Sequence, residues 1–309
     1  MRLRETPKRT TIEVIMKTVV GILFFCAISV NAIANENLNY GADFKVKWRQ
    51  VGSEGEFKNE AALQARYEEI NTWADAKLKL SILDACSKNG AMGMDLERCL
   101  IGYAIDTSAA GRLFAEVGRE KMEHLFESKL QYKSSFNGLH LGFQNANWQI
   151  HGGPHVVDSD MEHYGAVGEV IYYAPNDPLI VSYSITHWMP SLPYTISQIL
   201  AKYDIGHVGD HPVTFYGAFL RNHQKTCHSN GGYVGASLGR LEFAGDFGLD
   251  LNCQYASVNA IPEIDFNGIE EGWHMQCKAI YMLTDHFSLE GKMSFGTDII
   301  SEFAAVYKW

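Results

Sequence analysis

Apolar and polar residues alternate along this chain with a period of two, most clearly towards the C-terminus. Phe287, Leu289, Gly291, Met293 and Phe295 fall on one face, and Ser288, Glu290, Lys292 and Ser294 on the other. Upstream, Trp273, Met275, Cys277, Ala279 and Tyr281 alternate with His274, Gln276 and Lys278. Phe247, Leu249, Leu251, Cys253 and Tyr255 alternate with Asp250, Asn252 and Gln254. Near the N-terminus Phe44, Val46 and Trp48 alternate with Asp43, Lys45, Lys47 and Arg49. Successive side chains of a strand point to opposite faces, so each stretch predicts a strand with one dry and one wet face. Glu60 to Ile82 reads the same way, with Ala61, Leu63, Ala65 and Tyr67 set against Glu60, Gln64, Arg66 and Glu68. Its segment AALQARYEEI also fits an amphipathic helix, and the pattern leaves both open.

Extended over the chain, the rule places strands at 42–50, 60–69, 73–84, 98–106, 111–119, 137–144, 147–152, 164–173, 178–188, 195–205, 211–221, 232–244, 247–257, 272–283, 286–296 and 299–309. Runs of about ten residues suit a tilted membrane crossing, whereas globular strands average ~5–6. Short turns at 70–72, 107–110, 145–146, 174–177, 206–210, 245–246 and 284–285 alternate with longer, more polar stretches. Those are 51–59, 85–97, 120–136, 153–163, 189–194, 222–231 and 258–271, with 296–298 a short exception. The expected fold is all-β: a transmembrane antiparallel β-barrel of about 16 strands, short turns in the periplasm and longer loops outside. A barrel of ~16–18 strands encloses a water-filled channel, whereas ~8 strands are filled by their own side chains. The last strand carries Phe303, Ala305, Tyr307 and Trp309 on one face, which resembles the C-terminal assembly signal of bacterial outer-membrane barrels.

The N-terminus adds a destination. Arg2, Arg4, Lys8, Arg9 and Lys17 precede an apolar run from Val19 to Val30, followed by Ala32 and Ala34. The run is shorter than the ~20 residues a spanning helix needs, so residues 1–34 are expected to be a signal peptide and 35–309 the barrel. An uncleaved anchor is the other reading, and translation could start at Met1 or Met16. Beyond the leader no apolar stretch would span a membrane as a helix, so a membrane-embedded chain has to be a closed barrel. A net charge of −10 argues against a nucleic-acid partner.

Gly111 to Phe143, GRLFAEVGREKMEHLFESKLQYKSSFNGLHLGF, resembles the strand, inserted loop and strand of bacterial porins, nearest to porins of Chlamydia-like bacteria. The resemblance implies passive diffusion of small hydrophilic solutes, a homotrimer, and a third outer loop folded into the lumen. Counting places 120–136 as that third outer loop. It carries Glu120, Glu123 and Glu127 with Lys121, Lys129 and Lys133. The inward positions of the first five strands hold Lys45, Lys47, Arg49, Arg66, Lys77, Lys79 and Arg112. Loop carboxylates facing wall cations would form a constriction with a transverse field, since rows of charge tune which solutes pass. Equally, these charges could simply solvate an unconstricted lumen.

Without the leader the cysteines are Cys86, Cys99, Cys227, Cys253 and Cys277, an odd number. One must stay free or join another chain in an oxidising compartment. Cys86 with Cys99, bracketing the second outer loop, and Cys253 with Cys277, equidistant from Asp265, are candidate pairs. Unlinked thiols are the alternative for both. Cys227 is then left for an intermolecular disulfide, and disulfide-linked envelopes are what the resemblance implies. His207 and His211, or His151 and His155, do not supply the three or four ligands of a zinc site, so neither metal nor cofactor is expected. The rival functions are an outer-membrane barrel enzyme acting on lipid, although no Gly-x-Ser-x-Gly motif occurs, and a structural surface protein or adhesin.

Overall fold

Each alternating stretch is a strand in the computed structural model, which describes residues 37–52, 54–83, 92–107, 111–121, 125–131, 135–157, 163–189, 194–261 and 271–309. Within these residues the chain forms β1 (Leu38–Val51), β2 (Glu54–Glu69), β3 (Thr72–Leu83), β4 (Met92–Asp106), β5 (Arg112–Lys121), β6 (Ser135–Gln144), β7 (Trp148–Val157) and β8 (His163–Tyr173). The second half comprises β9 (Leu179–Met189), β10 (Tyr194–Val208), β11 (His211–Asn222), β12 (Asn230–Gly239), β13 (Phe247–Ala256), β14 (Gly272–Met282), β15 (Phe287–Phe295) and β16 (Ile299–Lys308). Consecutive strands pair antiparallel, and β1 pairs with β16 as well as with β2, so the 16 strands close into a barrel. Closure leaves no edge of unpaired N–H and C=O groups. The expected leader, 1–34, lies outside the described residues.

The closing register shows how the pattern is used. Phe44 lies opposite Tyr307, Val46 opposite Ala305 and Trp48 opposite Phe303 on the outer face, while Lys47 lies opposite Ala304 and Arg49 opposite Glu302 on the inner one. Phe303 is 52% exposed and its neighbour Ala304 only 4%. The apolar phase is therefore turned outwards and the charged phase inwards, the reverse of a soluble protein. Of the two readings for Glu60 to Ile82, the strand holds: Ala61 pairs with Leu80 and Leu63 with Leu78 across β2 and β3.

Several connections depart from expectation. Residues 54–59 are strand where a loop over 51–59 was expected, because β1 and β2 stay paired up to Val51 and Glu54. β4 begins at Met92, so the loop expected over 85–97 is shorter. β7 runs on through Gly153 and Pro154 to Val157, where a loop over 153–163 was expected. A Cβ at Gly153 would lie 1.8 Å from the carbonyl oxygen of Leu139, so the glycine permits close strand approach and makes no turn. β12 stops at Gly239, whose φ of 98° suits glycine, and 240–246 becomes a wider turn than the Gly245–Asp246 pair expected. That turn is tied by the Asp246 carboxylate, which accepts from the N–H of Glu242 and of Phe243, both at 3.0 Å.

The third outer connection, between β5 and β6, turns into the barrel. Its Leu125 and Phe126 are buried against Phe136, Val167, Trp188 and Tyr194. Leu130 is buried in a second cluster with Ile196, Leu200, Tyr216, Leu220, Tyr233, Ala256, Ala260 and Ile261. Each such side chain contributes roughly 1.5–3 kcal/mol when fully buried. An apolar patch on the inner wall of β6–β13 thus holds the loop inside an otherwise polar lumen.

Candidate functional site: the lumen and its inserted loop

The inner face of β1–β5 and β14–β16 is an interleaved row of cations and carboxylates. Lys45 pairs with Glu290 at 2.7 Å, Lys47 with Glu302 at 2.8 Å, and Arg49 with the same Glu302 at 3.4 Å. Lys58 and Lys79 share Glu60 at 2.8 and 3.1 Å, and Lys77 reaches Asp43 at 3.2 Å. Arg98 bridges Asp75 at 2.9 Å and Glu120 at 3.4 Å. Partly exposed pairs of this kind are worth about 0–1 kcal/mol each, so they shape the field in the lumen more than they stabilise the barrel.

A bulge enriches this row. Lys77 pairs with Arg98 but Leu78 with Leu96, leaving Glu97 as an extra residue in β4. Bulges re-aim side chains, and here Glu97 and Arg98 both enter the lumen. Glu97 lies 2.8 Å from Lys121, 3.4 Å from Lys79 and 3.9 Å from Lys77.

The loop sends its own charges elsewhere. Glu127 pairs with Lys202 of β10, and its carbonyl accepts from Gln198 Nε2 at 2.7 Å. Ser128 Oγ donates to Gln198 Oε1 at 2.7 Å and accepts from the N–H of Leu130 and Gln131. Lys129 reaches Asp250 of β13 at 3.2 Å and lies 5.2 Å from the ring centroid of Tyr216, whose hydroxyl donates to the same Asp250 at 2.8 Å. Among the described loop residues 125–131, both charged side chains, Glu127 and Lys129, are thus latched to β10–β13.

The loop separates two chambers. One, of about 580 Å³, is bordered by Leu125, Phe126 and Glu127 and reaches Gln144 and Gln149, beside the short turn at 145–147. The other, of about 800 Å³, is bordered by Ser128 and Lys129 and reaches Gly296 to Asp298 at the opposite, long-loop end. A pocket of about 220 Å³ lies along the wall between Lys45, Lys77, Lys79 and Lys308.

Lys45, Lys47, Arg49, Arg66, Lys77 and Lys79 all line these spaces. Glu120 belongs to β5, not to the loop, and it faces Arg98. Arg112 starts β5 at the short-turn end, 3.8 Å from Asp106 and 5.7 Å from the Trp73 ring centroid. It therefore borders the first chamber, away from the lysines of β1 and β3. Glu123 and Lys133 lie outside the described residues. Sequence reasoning missed Lys58 and Glu97, which sat in expected loops, Arg98 at the first position of an expected strand, and Lys202 and Asp250, whose roles depend on where the loop lands.

A buried row also crosses β5–β8. Glu116 Oε2 lies 3.3 Å from His140 Nδ1, His140 Nε2 lies 2.9 Å from His151 Nδ1, and His151 Nε2 lies 3.1 Å from Glu169. Trp73 Nε1 donates to Glu116 at 2.9 Å. The other histidine of the 151/155 pair, His155, is edge-on to Phe136 and Trp188. His207 and His211 flank the β10–β11 turn. Outside the strands, Asp246 is held below the usual carboxylate range by the two N–H donors of its turn, with Arg240 at 3.5 Å adding to the effect.

The cysteine geometry corrects one expectation. Cys277 lies opposite Leu251 and Cys253 opposite Met275, so the two are diagonal neighbours and both thiols are free. The hairpin is centred one residue before Asp265, and diagonal positions ~7–8 Å apart are too far to bridge. Cys99 is free, exposed and opposite Ala76 in mid-strand, well past the loop it was expected to bracket. Its expected partner Cys86 lies outside the described residues. Cys227 is free and exposed after β11.

No protein-family model and no curated protein matches this chain. Solved porin structures do. Pseudomonas putida OprB at high pH superimposes with a TM-score of 0.67 at 8% identity, covering 88% of this chain and 94% of that one. The same protein at low pH gives 0.61 at 10% identity, over 88% and 93%. A variant Rh. blastica porin gives 0.58 at 11% identity, over 88% of this chain and all of that one. At these identities the likeness shows the fold: the chain has the 16-strand barrel architecture of bacterial porins.

Proposed function

We propose that this chain is an outer-membrane porin that lets small hydrophilic solutes diffuse through a water-filled channel. The observation that carries the reading is an apolar outer face combined with a charged lumen into which a loop is folded between two chambers. Exposed apolar side chains around a closed sheet are stable in lipid, where closure satisfies the backbone. The short turns then face the periplasm and the longer connections the outside. The constriction is formed by the inserted loop itself, where Leu125 to Lys129 lie between the two chambers. Residues 1–34 serve as the cleaved leader, and the barrels associate as trimers, as the resemblance of Gly111–Phe143 to porins of Chlamydia-like bacteria implies. Cys227, free and exposed, is available for a disulfide between chains.

Purified, detergent-folded protein in planar bilayers is expected to give stepwise openings of nanosiemens scale. A well-folded barrel that stays electrically silent would overturn the reading.

One observation favours a lipid-acting enzyme. Ser197 Oγ lies 2.7 Å from His223 Nε2 on the outer face of β10. Among the described residues no carboxylate forms an ion pair with His223, and the Ser197 backbone is engaged in ladders with β9 and β11. A serine nucleophile needs an oriented base and free N–H donors for the oxyanion, so the porin reading stands first.

A further inference from the structure

The chambers on either side of the loop carry opposite charge. We infer that the lumen is an axial diode, with a small-anion binding vestibule at the long-loop end in series with a cation-gathering chamber at the short-turn end. The inference rests on the porin reading.

The vestibule is lined by six cations, Lys47, Arg49, Lys58, Lys79, Lys129 and Lys292, and two carboxylates, Asp298 and Glu302; Glu60, Glu97 and Asp250, outside that lining, pair with Lys58, Lys79 and Lys129. The opposite chamber is lined by Glu68, Asp75, Glu116, Glu120, Glu127 and Glu169 against Arg66, Arg98 and Arg112. Between them the wall pocket is balanced, with Asp43, Glu60, Glu97 and Glu290 facing Lys45, Lys77, Lys79 and Lys308. The loop obeys the same segregation: Lys129 borders the vestibule and Glu127 the other chamber. His140 and His151 also line the acidic chamber.

Walls of one sign concentrate the opposite ion. A potential that drives anions inwards from the vestibule and cations outwards from the acidic chamber fills the junction beside the loop with both ions. The reverse potential empties it. Current is therefore larger in one direction. Salt sets the size of the effect, because the screening length is ~10 Å at 0.1 M and ~3 Å at 1 M.

The test is the current–voltage relation of the full, folded chain, inserted from one side of a planar bilayer, in symmetric KCl at pH 8, above the ordinary histidine range. At 0.1 M the two polarities are expected to differ roughly twofold, and at 1 M screening to bring the ratio close to one. K58Q/K292Q, which removes two vestibule cations, is expected to lower the ratio at 0.1 M. A linear relation through open channels at 0.1 M overturns the diode and leaves the porin reading intact. Rectification that is as strong in 1 M salt, or unchanged in K58Q/K292Q, also overturns it. Channels that never open overturn the porin reading instead. If K58Q/K292Q does not fold, the salt comparison on the unaltered chain decides.

Discussion

At the scale of single residues, what matters is where a side chain finds its partner. Leu130 is 4% exposed and surrounded by the second wall cluster. Leu130→Ala leaves a cavity costing about 2–5 kcal/mol, and because the loop's fold depends on this contact, the cost falls on the loop. The expected outcome is noisier open-channel current and faster proteolysis within the loop, with the barrel still resisting cold detergent. Ser197→Ala gives the complementary expectation. It breaks the contact with His223 and should leave conductance unaltered, whereas loss of a lipid-hydrolysing activity in a vesicle assay would revive the enzyme reading. The residues of the inner wall were legible as a phase: Lys45, Lys47, Arg49, Lys77 and Lys79 all stand on the polar side of their strands. Their partners were not legible, because Glu290 and Glu302 lie more than two hundred positions away along the chain and meet β1 only through barrel closure.

At the scale of elements, strand existence followed from local alternation, and boundaries were harder to read. A loop was expected from Gly153 onwards, over 153–163, but in β7 Gly152 and Gly153 let neighbouring backbones come close. Gly153→Val would drive a side chain into the Leu139 carbonyl, so the variant is expected to fold poorly, read as loss of heat-modifiable migration on a gel. The turn after β12 provides a pH test. Asp246 is held below its ordinary value by the Glu242 and Phe243 N–H groups. A depressed carboxylate contributes stability above its unfolded pKa of ~4, and the contribution is lost as pH falls through the lower folded value. Amide exchange at Glu242 and Phe243 is therefore expected to stay slow at neutral pH and to quicken, relative to neighbouring turns, only in that acidic range. Asp246→Asn should remove this pH dependence.

At the scale of the whole molecule, the distribution of charge outweighs its total. The chain is acidic overall, at −10, yet among the charged residues lining the chamber at the long-loop end lysine and arginine outnumber aspartate and glutamate six to two. Protonation removes negative charge from carboxylates at ~4 while lysines stay charged. Lowering the pH from 8 through that range is thus expected to shift the reversal potential in a salt gradient towards anions. An unchanged reversal potential would mean that the lumen carboxylates do not face the permeating ions.

The amino-acid sequence by itself determined the number of strands, their faces and the closed, inside-out architecture. Alternation is written residue by residue, and a chain with a dry outer phase and no spanning helix can satisfy its backbone in lipid only by closing. Tertiary structure alone decided which charges meet, that Glu127 turns to Lys202 while Lys129 borders the cationic chamber, and that Cys253 and Cys277 miss each other by a diagonal. Those outcomes depend on register and on the landing place of one loop. A shift of one residue in a hairpin's centre moves every cross-strand partner by two, and no local pattern encodes that shift.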